Sequence, residues 1–248
     1  MTFEPLYIQA KNRTLGNFQQ NDIETFNWCY KNLGIKSLID TKVEEVNLIN
    51  IKEIIHFLPK REWFIKENYM NSIHGYLHTS RVIILLQILC NIYHYDNKKV
   101  LLISAAIHDV KRVNDKRDRN HGLRAGEWFK KKFYKHFKYL KNDEVDIITN
   151  IVTYHETEYD KIPNLFLKRY YKEIVLLKVA DALDRYRLPK KKWWPKIEYF
   201  KFDIPKNIFV LSKLLIYYSE REKLVNNKDN YNSIIKALKI IVNKHGKN

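Results

Sequence analysis

The sequence predicts an all-α protein built as a helical bundle. Only 6 glycines and 6 prolines occur in 248 residues, fewer than a sheet-rich fold with many tight turns would need. Apolar residues recur every three or four positions in several segments, which is the spacing of an amphipathic helix. Hydrophobic residues make up 45% of the chain and aromatic residues 14%, so the helices have enough apolar surface for a substantial core.

The predicted helices follow one another along most of the chain. Residues 1–70 carry weak helical signals around residues 23–33 and 46–57, and we expect them to form an N-terminal helical extension. Stronger amphipathic or apolar patterns begin after this segment. They cover Leu77–Ile92, Val100–Ile107, a helix that begins near His121, a helix that Asp143 caps and that runs to His155, and Ile174–Tyr186.

The composition of the chain changes after Pro189. The segment KKKWWPKIEYF is predicted to form a surface loop or hairpin, and two final helices are expected around residues 208–220 and 232–243. No internal repeat or low-complexity linker separates these parts. The predicted organisation is an N-terminal helical extension at residues 1–70, a central domain at residues 71–187, and C-terminal helices at residues 188–248 that pack on the same domain.

The net charge of +17 indicates a partner with negative charge. Nucleic acid, nucleotides and other phosphate compounds all fit, although the richness in Lys, Asn, Ile and Tyr is also typical of an AT-rich genome. No apolar run approaches the roughly 20 residues of a membrane-spanning helix, and the N-terminus lacks the order of a signal peptide. Two cysteines are too few for a disulfide framework. We therefore expect a reduced, cytoplasmic protein with no membrane partner.

Six residues suggest a metal site, because they occur in the order His, His-Asp, His, His, Asp beside apolar helical patterns. Imidazoles and carboxylates hold divalent first-row metals, and helical proteins build such sites from residues on different helices. A carboxylate that follows an apolar helix is costly to bury unless it is paired or metal-bound. Any one of these histidines could be an ordinary core or surface residue, but their joint order favours a site for two ions. The six are His78, His108, Asp109, His121, His155 and Asp181.

Five short motifs contain these residues: HGYLHTSRV (74–82), AAIHDVKR (105–112), NHGLRAG (120–126), TYHE (153–156) and KVADALDR (178–185). The set resembles the HD-domain superfamily of metal-dependent phosphohydrolases over residues 71–187. The resemblance implies an HD/phosphodiesterase-like helical bundle with N- and C-terminal helical extensions. It also implies that His78, His108, Asp109 and Asp181 hold one metal. His121 and His155 match the subset that binds two metals, with Asp109 bridging them.

Within that subset, some members cleave cyclic dinucleotides and others cleave diadenosine tetraphosphate, and the GYP element of the former is absent here. The resemblance implies hydrolysis of a phosphate ester or anhydride by metal-bound hydroxide, with a nucleotide or short nucleic acid as substrate. Monoester, diester and pyrophosphate chemistry are not distinguished. The expected cofactor is two divalent ions of Fe, Mn, Co, Ni or Zn, with Mg disfavoured.

Basic residues near the predicted ligands are candidates for phosphate binding. Arg112 follows Asp109 by three residues and is the first candidate, with Lys111 as a weaker one. Arg81 and Arg185 follow a predicted ligand by three and four residues, so each shares a helix face with it. Each of the three arginines could equally form a surface salt bridge.

His74 precedes His78 by four residues, so it could orient a ligand, bind substrate or act as a general acid. Asp115 and Asp118 could hydrogen-bond ligand histidines or lie in a solvated loop. Trp193 and Trp194 could stack on a base or serve in packing. Two further functions stay open: an HD-type diiron oxygenase with the same ligand set, and a basic nucleic-acid-binding module with a structural metal.

Overall fold

Residues 4–246 are described in the computed structural model, apart from the side chain of Tyr134. The prediction of an all-α fold is confirmed, because this range contains α-helices and short 3₁₀ helices and no strand. None of the described helices is long and apolar enough to span a membrane. The α-helices are α1 (Leu6–Asn12), α2 (Ile23–Asn32), α3 (Ile35–Leu38), α4 (Ile51–Phe57), α5 (Glu67–Met70), α6 (Tyr76–Ile92), α7 (Lys98–Ile107), α8 (His121–His136), α9 (Asn142–Tyr154), α10 (Asn164–Arg169), α11 (Tyr171–Leu183), α12 (Lys206–Leu224) and α13 (Asn230–His245).

Three local expectations were wrong. The signal at residues 46–57 is divided between a 3₁₀ helix at Glu44–Leu48 and α4, because the Asn50 side chain accepts from Glu53 N and starts a new helix. Asp143 does not cap α9. The Glu144 carboxylate accepts from Lys141 N instead, so the helix begins at Asn142.

The third difference concerns the end of α11. The helix expected to reach Tyr186 ends at Leu183 and continues as a 3₁₀ helix at Asp184–Arg187. The segment after Pro189 is a loop with 3₁₀ helices at Lys191–Trp193 and Ile197–Tyr199, which is the first of the two alternatives predicted for it.

Helix α6 is the centre of the bundle. Every residue from Tyr76 to Cys90 is buried, and α6 packs against α7, α11, α12 and α13. A helix that is apolar on all sides requires such a surrounding. Polar residues on α6 are therefore enclosed by protein, and this applies to His78 and Arg81.

The terminal segments share their core with the central helices. One hydrophobic cluster runs from Val43 through α6, α7 and α11 to Ile241. Val43 N donates to His245 O at 2.8 Å, which joins the N-terminal segment to the end of α13. The N-terminal residues 15–19 and the loop after Pro189 reach the same end of the bundle, where the predicted ligands lie.

Candidate metal centre

Helix ends bring the four predicted histidine ligands together. His78 lies in the first turn of α6, and His121 is the first residue of α8. His108 and His155 directly follow the last residues of α7 and α9. All four are buried. Each side chain therefore leaves its helix at an end that faces a common interior.

Asp109 lies between two pairs of these histidines. Its Oδ2 atom is 3.4 Å from His78 Nε2 and 3.9 Å from His108 Nε2. Its Oδ1 atom is 2.9 Å from His121 Nε2 and 3.7 Å from His155 Nε2. The Nε2 atoms are 3.2 Å apart in the first pair and 2.9 Å apart in the second. One carboxylate thus presents one oxygen to each pair.

Asp181 completes the first pair from the last turn of α11. Its Oδ1 atom is 3.3 Å from His78 Nε2, and its side chain is 33% exposed, so the group opens to solvent here. Among the described residues, two sets of donor atoms lie close enough to hold a metal: His78, His108 and Asp181, and His108, Asp109 and His155. We call His78, His108 and Asp181 the His78 half, and His121 with His155 the His121 half.

Backbone carbonyls fix the orientation of three of the histidine rings. Each of the three donates its Nδ1–H to the carbonyl three residues earlier. For two of them that carbonyl lies in the last turn of α7 or α9, where it has no partner within the helix. The Nδ1–O distances are 2.7 Å from His108 to Ala105, 2.5 Å from His121 to Asp118 and 2.6 Å from His155 to Val152.

The fourth ring is held by a carboxylate, because His78 Nδ1 is 2.7 Å from Asp184 Oδ2. Carbonyl and carboxylate oxygens only accept hydrogen bonds, so Nδ1 is the donor in all four rings. In the neutral form each Nε2 then carries a lone pair directed at the others. Lone pairs 2.9 and 3.2 Å apart repel unless a proton or a metal ion lies between them. This donor set suits divalent first-row metals, so the buried His/Asp cluster could hold a metal ion.

The charges around the cluster favour ionised carboxylates. Burial opposes ionisation of Asp109, but Arg112, His108 and His121 hold the pKa of this carboxyl well below its usual range. Burial lowers the pKa of His108 to about 4, so its ring is neutral at pH 7. Burial and Arg187 also oppose protonation of His78. Its hydrogen bonds to the carboxylates of Asp109, Asp181 and Asp184 outweigh them and raise its pKa to about 9, and a bound cation would displace this proton.

Sequence reasoning missed Asp184, which joins the cluster to a buried ion network. Asp184 is fully buried, accepts from Arg81 Nε at 2.6 Å, and forms an ion pair with Arg187 Nη1 at 3.3 Å. The far end of Arg81 donates to Glu220 at 3.0 Å. The signal was present, since Asp184 follows Asp181 by three residues and so shares its helix face.

The basic residues predicted to bind phosphate occupy four different environments. Arg81 is 1% exposed, and its guanidinium donates hydrogen bonds to Asp184 and Glu220 in the buried network. Lys111 donates to Trp63 O and lies 4.4 Å from the centroid of the Trp128 ring. Arg112 Nη1 lies 3.4 Å from Asp109 Oδ1 and 3.3 Å from both ring nitrogens of His121. Arg185 is exposed.

His74 lies beside the cluster and is held by Asp115. His74 Nδ1 is 3.0 Å from Asp115 Oδ1, and the His74 and His78 ring centroids are 5.9 Å apart. Asp115 Oδ2 accepts from Gln19 N at 2.7 Å. The Asp118 carboxylate pairs with Arg124. The two carboxylates thus form these hydrogen bonds with groups other than the six predicted ligands. Asp118 instead accepts a hydrogen bond from His121 through its backbone carbonyl.

Two cavities open beside the cluster. The aromatic cavity, of about 560 Å³, is lined by His155 and Asp181 together with Tyr159, Trp193, Trp194 and Tyr199. Glu156 also lines it, and its Oε1 atom is 3.2 Å from His121 Nδ1.

The basic cavity, of about 590 Å³, is lined by His74, Arg112, Lys116, Arg117 and Arg185. Arg185 and Trp193 line both cavities, so the two meet along these side chains. Of the predicted basic residues, Arg112 and Arg185 line at least one of these cavities, whereas Arg81 and Lys111 line neither.

Glycine at position 122 allows the close approach of α8 and α9. A Cβ atom there would lie 2.6 Å from Val152 O and 3.1 Å from His155 Nδ1. One turn later, a Cβ at Gly126 would lie 2.6 Å from Thr153 Oγ1. Because any side chain would separate the two helices, these glycines allow the two rings of the His121 half to meet.

Comparison of the chain with protein-family models, with curated proteins and with solved structures finds no match.

Proposed function

We propose that this chain is a metal-dependent phosphohydrolase of the HD type. One observation carries the proposal: a buried carboxylate, Asp109, presents its two oxygens to two separate pairs of inward-facing imidazoles. That arrangement suits a pair of divalent ions a few ångströms apart. When bound, two such ions would lower the pKa of water and neutralise charge on a phosphoryl group.

The residues that would hold the ions divide by their distances. His78, His108 and Asp181 would hold one ion with Asp109 Oδ2, and His121 and His155 would hold the other with Asp109 Oδ1. We assign this chemistry to residues 71–187, in the bundle of the HD type. Ions of Fe, Mn, Co, Ni or Zn suit the mixed nitrogen and oxygen donors better than Mg does.

Arg112 supports phosphoryl chemistry. Its guanidinium lines the basic cavity and lies 3.4 Å from Asp109 Oδ1. A cation so close to the cluster would neutralise negative charge that develops on phosphoryl oxygens. Arg185, on the border between the two cavities, would bind a non-reacting oxygen of the same group.

His74 would orient substrate as a hydrogen-bond acceptor. Its Nδ1 donates to the Asp115 carboxylate, which leaves Nε2 unprotonated in the neutral ring. Burial and Arg112 keep the pKa of His74 well below its usual value. A neutral ring with this tautomer has no proton to give to a leaving group, so we do not assign the general acid to His74.

Metal analysis combined with a hydrolysis screen tests the proposal. Protein stripped with a chelator is reloaded with each metal, its metal content is measured, and phosphate release is followed across nucleotides and p-nitrophenyl phosphate esters. We expect hydrolysis with at least one metal and a loss of about 10³-fold or more in Asp109→Asn. The control is Asp146→Asn, an exposed carboxylate paired with Lys130.

The other outcomes contradict the proposal in distinguishable ways. Oxygen consumption by the iron-loaded protein without phosphate release would favour an oxygenase. Salt-sensitive binding of RNA or DNA without turnover under any metal would favour a nucleic-acid-binding module. Asp109→Asn that hydrolyses at the wild-type rate would rule out this cluster as the active site.

A further inference from the structure

The two cavities border the cluster through different residues. The aromatic cavity is lined by Asp181 and His155, one residue from each half. The basic cavity is lined by His74, which contacts the His78 ring, and by Arg112, which contacts the His121 ring. The aromatic cavity therefore borders both halves of the cluster directly, and the basic cavity borders them through His74 and Arg112. A substrate whose reacting phosphorus carries a group on one side only would leave one cavity empty.

The basic cavity carries more positive than negative charge. Among the described residues, Lys116, Arg117 and Arg185 form no close ion pair with a carboxylate, although Glu158 attracts Arg117 from a distance. The one carboxylate in its wall, Asp115, is occupied by His74 and by Gln19 N. This cavity is therefore complementary to an anionic group beyond the one that reacts.

The aromatic cavity offers ring faces and further lysines. Tyr199 is 67% exposed, with Lys196 Nζ 5.4 Å from the centroid of its ring, so it has surface free for a ligand. Trp193 is half-buried because it packs against Leu6, Ile73 and Leu188. Trp194 instead packs edge-on against Trp28 and donates from Nε1 to Leu188 O, which makes it a fixed wall. Exposed aromatic faces beside cationic side chains are the surfaces on which nucleic-acid bases stack.

We infer that the substrate is a phosphodiester or phosphoanhydride that spans both cavities, with an aromatic base in the aromatic cavity and a second phosphate in the basic cavity. The inference rests on the proposed function and names its substrate. Segments outside residues 71–187 contribute to both walls. Leu15 and Gln19 line the basic cavity, and residues 192–196 with Tyr199 and Phe200 line the aromatic one.

In the diester case the chemistry balances as a simple hydrolysis. The oxygen of water bonds to phosphorus, and the bond from phosphorus to the leaving oxygen breaks. The electron pair of that bond goes to the leaving oxygen, which gains a proton from the water. One product is a phosphomonoester and the other an alcohol, and each lies in its own cavity.

The test compares three deoxyadenosine compounds: the 5′-phosphorylated dinucleotide pdApdA, the dinucleotide dApdA and the mononucleotide dAMP. We expect kcat/KM to fall in that order, by about 10-fold at each step, since one charged hydrogen bond or one stacked base changes affinity by about that much. Binding of pdApdA to the inactive Asp109→Asn protein, measured by calorimetry, gives a readout that does not depend on turnover.

Two variants assign the two cavities. Arg117→Ala should lower the preference for pdApdA over dApdA, whereas Arg119→Ala, in the same loop but outside the cavity wall, should retain it. Tyr199→Ala should raise KM for both dinucleotides and weaken pdApdA binding about 10-fold. Tyr231→Ala, which removes an exposed tyrosine on α13, is its control.

The outcomes separate this inference from the proposed function. If no phosphate compound is hydrolysed, including bis(p-nitrophenyl) phosphate, both fail. If bis(p-nitrophenyl) phosphate is hydrolysed but kcat/KM for dAMP equals that for the dinucleotides, the proposed function holds and the two-sided substrate is wrong. It is also wrong if Arg117→Ala and Tyr199→Ala behave like their controls.

Discussion

Replacing Asp184 by Asn removes a negative charge that three cationic or polar side chains share. The carboxylate is fully buried and contacts Arg81, Arg187 and His78 at distances between 2.6 and 3.3 Å. With Glu220, the network places two guanidinium groups against two carboxylates, and His78 also has the carboxylates of Asp109 and Asp181 as neighbours. The variant leaves one buried positive charge without a partner.

The expected loss follows from that imbalance. Removing one partner of a buried ion pair lowers the free energy of unfolding by about 3–5 kcal/mol, a large share of the roughly 5–15 kcal/mol that a folded domain has. Urea denaturation at pH 7 with a chelator measures it without a contribution from metal binding. The matched control is Asp146→Asn, whose carboxylate pairs with Lys130 at an exposed site, and it should lose less than about 1 kcal/mol.

The same variant separates stability from metal binding. An Asn side chain has one oxygen to share between His78 and Arg81, so the His78 tautomer is no longer fixed. We expect metal affinity to fall about 10- to 100-fold, as for other partners of metal-bound histidines, measured by chelator competition. A loss of stability no larger than that of Asp146→Asn would refute the reasoning about the buried network.

Three further predictions test other parts of the site. Gly122→Ala should push α9 away from α8, lower the free energy of unfolding by about 1–3 kcal/mol and cause loss of metal from the His121 half, as measured by urea denaturation and metal analysis. The control is Gly16→Ala, where an added Cβ has no contact closer than 3.4 Å, and it should change neither stability nor metal content. Burial raises the pKa of Asp115 to about 6, so its contribution to stability is present below about pH 4 and lost as the pH rises to 6. The free energy of unfolding of Asp115→Asn should therefore rise by about 2–3 kcal/mol relative to that of the wild type between pH 4 and 7. If urea denaturation shows the same difference between the two proteins at every pH, this prediction is wrong. Arg112→Ala should lower kcat for phosphodiesters about 10²- to 10³-fold at unchanged metal content, and an unchanged kcat would exclude Arg112 from the reaction.

Helix prediction succeeded where the pattern was local and failed where neighbouring side chains decided. The apolar spacing predicted the bounds of α6 to within one residue, because a buried central helix has apolar residues along its whole length. The start of α9 was wrong because Glu144, rather than Asp143, bonds back to the chain. Helix ends depend on such single side-chain bonds.

Spacing could not separate the three candidate arginines. Arg81, Arg112 and Arg185 each follow a predicted ligand by three or four residues, so on sequence grounds they look equivalent. The structure separates them by what surrounds each position. Arg81 is enclosed because α6 is buried on every side, Arg112 lies in the turns after α7, and Arg185 faces the cavities.

The sequence alone determined the helical class and the identity and order of six side chains with metal-binding chemistry. Both are properties of residue type and of spacing along one segment, and neither depends on distant neighbours. The tertiary structure decided that Asp109 lies between two histidine pairs, that Asp184 anchors His78, and that the terminal segments wall two chemically different cavities. These features join residues that are distant in the sequence, such as His78 and Asp184, which are 106 positions apart, and only tertiary packing brings such residues into contact.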